Sequence, residues 1–321
     1  MKYGLVLCSL PLLTTVSLAA LAEAPRVAVD IPPVHSLVTK VMGDRGTAEL
    51  FIQPGASPHG YSLRPSEAAV LDEADLVVWV SNDLTPWLST PITNLADDAK
   101  HLELMRVPGI NRFEYREGAT FDVADHDHDH DHDHDHDHDH DHDHDHAHDG
   151  EDPHGWLDPA NARVWLDAIA QQLGELDPDN ADYYLANADQ SKQELDTLAH
   201  DIKQRLADSG DTRFIVFHDA YQYFENAFDV RAAVAISIGD ASSPSPARIE
   251  ALQKLVSQQG IHCVFSEPQF NPQIVNNIFG DTDAYIGVMD PIGAGLTTGA
   301  GLYDALLSQM ADEIQVCTDA M

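Results

Sequence analysis

Four residues stand at positions where α/β proteins commonly bind ligands. His59 lies in the loop QPGASPHGYSLRPS after the apolar run TAELFI, and His154 lies in DPHGWLDP, just before a predicted helix. His218 and Asp290 each end an apolar run, in RFIVFH and AYIGVMD. Ligands of open α/β sheets collect at the carboxyl ends of the strands. We therefore predict that these four side chains line one cleft between two lobes.

The predicted ligand set has the composition of a zinc site. Three imidazoles with one carboxylate or one water complete a four-coordinate shell for Zn²⁺. Imidazole is a borderline donor, so it favours zinc over Mn²⁺, which prefers oxygen. Spacing alone leaves other roles open: His59 as a loop residue, His154 as the last member of the repeat before it, His218 as a capping residue, and Asp290 as the N-cap of a turn.

Other candidate ligands have simpler explanations. Glu267 ends the apolar run CVFSE and precedes a proline, and we interpret it as structural. His35, in IPPVHSLV, is predicted to begin a surface helix. The remaining histidines outside the repeat described next are expected at the surface or in strands: His101, His200 and His262.

The most unusual segment is an Asp-His repeat from Asp125 to His146. It has no apolar residue to bury, so nothing offsets the entropy cost of ordering it, and we expect a mobile loop when no metal is bound. Alternating carboxylates and imidazoles offer many overlapping, weak sites instead of one preorganised site. We predict accessory metal binding by His126, His128, His130, His132, His134, His136, His138, His140, His142, His144, His146 and His148.

The charge of the chain excludes some classes of function. The 321 residues carry a formal net charge of −37. This acidity argues against nucleic-acid binding, because phosphate contacts need Lys and Arg, and also against docking on anionic membranes. It is compatible with cations as ligands.

The first 22 residues are predicted to be a secretory signal peptide. A basic residue precedes an apolar segment, and an A-x-A-like cleavage site ends at Ala22. The apolar run is short and is interrupted by Pro11, so a membrane span is disfavoured. A lipid anchor on Cys8 is the less favoured alternative, because this cysteine precedes most of the apolar segment. We expect export to the periplasm.

Two cysteines remain after the signal peptide, Cys263 and Cys317. In an oxidising compartment an isolated pair most simply forms one disulfide. Such a bond would tie the last helix to the strand that begins at Cys263. Two buried free thiols are the alternative.

Apolar runs alternate with helical patterns along the chain. The runs are nearly continuous, which is typical of parallel strands covered on both faces. We predict an α/β fold of two lobes, each with a mostly parallel sheet flanked by helices, joined by one long rigid helix. The predicted N-terminal lobe covers residues 23–177, with a disordered loop at about 122–152. The linking helix covers 178–209 and the C-terminal lobe 210–321.

The linking helix has start and stop signals. Asp177 and Pro178 suit its N-terminus, and Gly210 suits its end. Its apolar residues recur three, four or seven positions apart and form one stripe: Ala188, Leu195, Leu198, Ile202 and Leu206.

Four ordered motifs carry a resemblance to a known family. PGASPHGYSLRPS, HGWLDP, FHDAYQYFE and VFSEPQFNP resemble those of the zinc-specific solute-binding proteins of bacterial ABC transporters, in the metal-binding group called cluster A-I. The similarity covers nearly all of the mature chain. It implies zinc binding by His59, His154 and His218, two α/β lobes joined by a long helix, and a flexible insertion near the metal cleft.

The resemblance also implies a function and partners. The expected role is capture of Zn²⁺ in the periplasm and its delivery, by a monomer, to a membrane permease with a cytoplasmic ATPase. A periplasmic metallochaperone is a second candidate partner. A zinc hydrolase is the main alternative, but the chain has no H-E-x-x-H motif and no carboxylate obviously poised as a general base. A zinc buffer or adhesin without a transporter is a third possibility. We expect no enzymatic activity.

Two positions bear on the metal and its fourth ligand. Zinc binders of this family can carry an acidic residue just before the first histidine, and here that position is Pro58. Asp290 matches a position from which related proteins draw a carboxylate ligand, so the fourth ligand is either Asp290 or water. Manganese-type relatives usually have Glu at the position of His218, which supports zinc.

Overall fold

A computed structural model describes residues 24–116, 150–237, 244–259, 261–280 and 282–320. The predicted signal peptide and the predicted accessory histidines of the repeat therefore lie outside the described residues. Among the described residues, no helix combines the length and the apolar character that crossing a bilayer requires.

The first sheet has four parallel strands in the order β2-β1-β3-β4. The two central strands are buried along their whole length, as their continuous apolar sequences predict. The edge strand β4, with the sequence KHLE, was not predicted because polar residues interrupt its apolar pattern. The strands are β1 (Val27–Val29), β2 (Ala48–Leu50), β3 (Leu76–Trp79) and β4 (Lys100–Glu103).

The second sheet is also parallel, in the order β6-β5-β7-β8. Its two central strands, β5 and β7, are fully buried. Because neighbouring strands run in the same direction, their carboxyl ends reach the same edge of the sheet. The strands are β5 (Phe214–His218), β6 (Ala232–Ser237), β7 (Cys263–Ser266) and β8 (Tyr285–Val288).

Helices connect the strands and cover both faces of each sheet. The α-helices of the described residues are α1 (Pro32–Met42), α2 (Pro65–Asp72), α3 (Ser89–Leu95), α4 (Pro159–Leu176), α5 (Ala181–Arg205), α6 (Gln222–Phe228), α7 (Pro246–Gln259), α8 (Gln273–Phe279) and α9 (Leu302–Asp319). Short 3-10 helices lie at Leu104–Arg106, Gly155–Leu157 and Pro178–Asn180.

One apolar core extends through both lobes. It joins one face of each sheet to α1, α4, α5 and α9, while smaller apolar clusters cover the outer faces of the two sheets. Each sheet is therefore buried on both sides, which explains why its strands are almost continuously apolar. The predicted α/β fold of two mostly parallel sheets flanked by helices is confirmed.

Buried hydrogen bonds reinforce the contact between the lobes. The Trp156 indole N–H donates to Pro291 O at 2.7 Å, and the Tyr303 hydroxyl donates to Trp156 O at 2.7 Å. The Ser36 hydroxyl donates to Ala300 O at 2.8 Å. These bonds and the shared core resist separation of the lobes.

The long helix α5 has 25 residues and is shorter at both ends than predicted. The chain reverses direction between α4 and α5, which pack against each other, so Pro178–Asn180 forms a separate 3-10 turn. The Asp177 carboxylate stabilises this turn by accepting from Asn180 Nδ2 at 2.7 Å and from the Tyr184 hydroxyl at 2.8 Å. The residues of the predicted apolar stripe all pack in the central core: Ala188, Leu195, Leu198, Ile202 and Leu206.

The predicted disulfide is confirmed. Cys263 and Cys317 are bonded, with their Cα atoms 5.9 Å apart, and both are fully buried. The bond ties the first residue of β7 to the last turn of α9.

The prediction for His35 is wrong. Its ring is buried in α1, and Nε2–H donates to Ala48 O at 3.0 Å, because α1 packs against the first sheet instead of lying at the surface. Three further histidines of the described residues lie outside the candidate site and are exposed, as predicted: His101, His200 and His262.

Candidate metal centre

Three of the four predicted ligands lie together. The ring centroids of His59, His154 and His218 are 5.3 to 5.8 Å apart. One nitrogen from each ring can be chosen so that all three lie within 4.8 Å of one another. Such a spacing lets three imidazoles reach one ion with small side-chain rotations. Histidines that are 159 positions apart in the chain, at residues 59 and 218, are thus brought to one point.

Each histidine comes from a different structural element. His218 is the last residue of β5, and His154 immediately precedes the 3-10 helix Gly155–Leu157; both are almost completely buried. His59 is partly exposed in the loop between β2 and α2. The Trp87 indole N–H donates to Pro58 O at 2.8 Å and so holds the backbone next to His59.

Glu267 fixes the orientation of the His218 ring. Strands β5 and β7 are neighbours, and their register places Glu267 beside His218. His218 Nδ1 lies 2.7 Å from Glu267 Oε1, and the His218 backbone N–H donates to the same oxygen at 3.2 Å. An ionised carboxylate only accepts, so Nδ1 carries the proton and Nε2 presents its lone pair to the centre. Carboxylates orient metal-binding histidines in this way in many proteins.

Asp152 does the same for His154. His154 Nδ1 lies 2.7 Å from Asp152 Oδ1, which also accepts from the His154 backbone N–H at 3.0 Å. The Nε2 atoms of His154 and His218 are buried and have no hydrogen-bond partner among the described residues. Two buried lone pairs without a donor, in rings held from the opposite nitrogen, fit a bound metal ion.

Burial and charge set the protonation of these groups. Burial lowers the pKa of His154 well below its usual value, with a further decrease from nearby His218, so this imidazole is neutral at neutral pH. Burial is the largest single effect on His218 and lowers its pKa, but the charge and the hydrogen bond of Glu267, together with the charges of Asp219 and Asp152, outweigh it and the net pKa is raised. Burial raises the pKa of Asp152 to about 7, against the opposing effects of the His154 N–H and Arg116.

The three rings line a small cavity with walls from both lobes. It offers about 10 Å³ to the centre of a water-sized sphere, which is room for about one water-sized ligand. Its other walls come from Ser57, Pro58, Trp156, Glu267, Gln269, Phe270, Pro291 and Ile292. The arrangement suits a small cation bound by imidazole far better than an organic ligand.

Asp290, the fourth predicted ligand, is not in this group. Both of its carboxylate oxygens accept hydrogen bonds, from Gln269 Nε2, from the Ile292 N–H and from the Ala294 N–H. Among the described residues, it belongs neither to the three-histidine group nor to the cavity wall. The geometry favours the other interpretation of the sequence, in which Asp290 caps the turn that follows it.

The sequence did not identify Asp152 and Glu267 as partners of the two histidines. A partial signal existed for Asp152, since D-P-H places the carboxylate two residues before His154, within reach of its ring. Glu267 was recognisable only as a polar residue at a strand end, because its pairing with His218 depends on which strands are neighbours in the sheet. Asp152, the last residue of the predicted loop, is buried.

The two ends of the Asp-His insertion are held next to this centre. The Asp152 N–H donates to Phe113 O at 2.8 Å, and the Tyr115 N–H donates to Gly150 O at 3.2 Å. The Arg116 guanidinium forms ion pairs with Asp219, the neighbour of His218, and with Glu225. The chain therefore leaves and re-enters the described structure beside the metal centre.

The fold and the centre define a two-lobed α/β protein with an imidazole-lined site between its sheets. A family model described as "ZnuA: Zinc-uptake complex component A periplasmic" matches residues 27–317. The chain therefore belongs to this family of periplasmic zinc-uptake components, and the resemblance in its motifs is confirmed.

Individual relatives agree with this family. The chain is 45% identical over 313 residues to the high-affinity zinc uptake system protein ZnuA of Paracoccus denitrificans (strain Pd 1222), covering 96% of each chain. It is 42% identical over 307 residues to the protein of that name from Brucella abortus (strain 2308), covering 92% of each. A solved structure titled "Crystal structure of ZnuA" superposes with a TM-score of 0.75 at 24% identity, covering 92% of this chain and 100% of that one.

Proposed function

We propose that the protein captures Zn²⁺ in the periplasm with His59, His154 and His218 and delivers it to the permease of an ABC transporter. The observation that carries the proposal is the convergence of these three imidazoles on one small cavity. Zinc is the cargo and is not chemically changed, so we propose a binding protein rather than an enzyme. A permease with its cytoplasmic ATPase is the proposed partner, and the binding protein acts as a monomer.

Zinc is the cation that best fits the donors. Three neutral nitrogen ligands suit Zn²⁺, whereas Mn²⁺ and Mg²⁺ favour oxygen-rich shells. Hydrogen bonds from Nδ1 to buried carboxylates raise the basicity of His154 and His218 and fix their direction. The relatives named above are zinc uptake proteins, which supports the same cargo.

Metal titration of the purified mature protein tests this function. We expect one tight zinc site, a much weaker response to manganese, and no turnover of esters, peptides or phosphates. A strain without the gene is expected to grow poorly only when zinc is scarce, and added zinc should restore its growth. Normal growth under zinc limitation would argue for a buffer or adhesin instead, and zinc-dependent turnover would argue for a hydrolase.

We further propose that the Asp-His insertion gathers zinc near the centre or receives it from a periplasmic metallochaperone. The support is positional, because both ends of the insertion are paired beside His154 and His218. Each ion bound there has to order part of the segment, so its affinity is lower than at the centre. Imidazole must be neutral to bind, so retention by the repeat weakens as pH falls through about 6.5.

Deleting residues 125–148 should lower the zinc stoichiometry and leave one tight site. The paired segments around Tyr115 and Gly150 remain, so the ends of the shortened insertion stay held together. Calorimetric titration gives both the number of ions and the tight-site affinity. A full-length variant with every repeat histidine changed to glutamine is the matched control, since it retains the length of the segment. Loss of the tight site in either variant would show that the repeat is part of the main site.

The N-terminal signal peptide and its cleavage after Ala22 are part of the proposal. The family description as periplasmic supports export. N-terminal sequencing of the mature protein from periplasmic extracts checks the cleavage site.

A further inference from the structure

We infer that Gln269 holds a water molecule as the fourth zinc ligand, and that Asp290 acts on the centre through Gln269. The inference rests on the proposed function, because it assigns the remaining coordination position of the same centre. Three histidines leave one corner of a tetrahedral zinc shell to be filled.

The Gln269 amide has a defined orientation. Its Nε2–H donates to Asp290 Oδ1 at 2.8 Å. An ionised carboxylate has no hydrogen to donate, so the reversed amide would place two acceptor oxygens against each other. Asp290 therefore selects the orientation in which the carbonyl Oε1 points away from it.

The Gln269 carbonyl is an acceptor without a donor. Oε1 is buried and has no hydrogen-bond partner among the described residues, and Gln269 forms part of the cavity wall together with the three histidines. A zinc-bound water has hydrogens to donate, so it would satisfy the Gln269 carbonyl oxygen.

Asp290 is poorly placed to be the ligand itself. Besides Gln269 Nε2, its carboxylate accepts from the Ile292 N–H at 3.1 Å and from the Ala294 N–H. These three bonds use most of the acceptor capacity of the carboxylate and hold it on the turn after β8.

Zinc affinity of substituted proteins tests the role of Gln269. Gln269→Met keeps the length of the side chain and removes both amide groups, and we expect it to weaken zinc binding by about 10- to 100-fold, the loss typical of a group that supports a metal ligand. Gln273→Met is the matched control, because this exposed glutamine lies outside the cavity wall, and it should bind zinc normally. Urea unfolding of the metal-free proteins checks that both variants fold.

A double-substitution cycle tests the route from Asp290 to the metal. If Asp290 acts only by orienting Gln269, Asp290→Asn combined with Gln269→Met should bind zinc no more weakly than the weaker single variant. Additive losses in the double variant would overturn the indirect role of Asp290. Unchanged affinity in Gln269→Met would overturn the role of Gln269.

The cobalt form tests the water directly. Co²⁺ in place of zinc gives visible absorption bands that respond to the ligand set, and a bound water is exchangeable for a small anion. We expect fluoride, an anion of about the size of water, to replace the water and shift these bands in the wild-type protein. Bands that fluoride leaves unchanged would overturn the assignment of water. None of these results changes the proposed function, which fails only if the wild-type protein lacks the tight zinc site.

Discussion

His218→Ala is expected to weaken zinc binding by more than about 100-fold. Removal of a residue that only supports a metal ligand typically costs about 10- to 100-fold, and loss of the ligand itself should cost more. The substitution removes one of the three proposed nitrogen ligands and leaves Glu267 Oε1 with only the backbone N–H of residue 218 as a donor. At a free zinc concentration about 1,000 times the wild-type Kd, bound zinc stabilises the wild-type fold by about 4 kcal/mol. A 100-fold weaker site reduces that stabilisation to about 1.4 kcal/mol at the same zinc concentration.

Thermal unfolding with and without zinc measures this difference. His262→Ala is the matched control, because it removes an exposed histidine close to the same sheet, and it should retain the full zinc-induced shift. His218→Gln fills the space of the ring if the alanine variant folds poorly. Glu267→Gln should give an intermediate loss of about 10- to 100-fold, because it weakens the support of His218 and keeps the ligand. A zinc-induced shift in His218→Ala equal to that of the wild type would remove His218 from the site.

Loss of the disulfide should produce the largest change in the stability of the metal-free protein. The bond between Cys263 and Cys317 closes a loop with a sequence separation of 54. Loop-closure entropy for that length predicts that Cys263→Ala with Cys317→Ala lowers the free energy of unfolding by about 4 kcal/mol. Urea unfolding in the presence of a chelator measures the loss without interference from zinc.

The zinc affinity of the folded double-alanine variant should be unchanged. Cys263 begins β7, whereas Glu267 follows the other end of that strand, a distance of about 13 Å at about 3.3 Å per residue. Reduced wild-type protein is the control, because it opens the same loop and keeps both side chains in the core. If the double-alanine variant and the reduced wild type both lose zinc affinity as well as stability, the disulfide also shapes the metal centre.

The repetitive parts of the fold were predictable because burial leaves a local pattern. The apolar runs that became β1, β3, β5 and β7 are continuous because both faces of each sheet are covered. The apolar stripe of α5 was visible for the same reason. The ends of α5 could not be predicted from the sequence, because packing against α4 decides where the chain turns. The burial of His35 could not be predicted either, because it results from the packing of α1 against the first sheet.

The sequence indicated which imidazoles could form the candidate site, but it indicated the arrangement of the site only in part. A histidine at a strand end or in a loop of special composition can be proposed from its neighbours in the chain, and the three proposed in this way, His59, His154 and His218, lie together in the structure. Asp290 shows the limit of that reasoning. A carboxylate at a strand end has the same local sequence whether it binds a metal or caps a turn, and backbone N–H groups that follow it decide the outcome.

The order of residues alone determined the parallel strands, the long helix, the cysteine pair and the imidazoles that suit zinc, because each depends on chemistry or periodicity within a short segment. The tertiary structure alone decided that the three rings meet at one cavity and that Glu267 orients His218. It also decided that Gln269 lines that cavity and that Asp290 accepts hydrogen bonds from Gln269 and from the following turn. These relations join residues that are far apart in the chain, and the packing of strands and loops, not local preference, sets the distances between them.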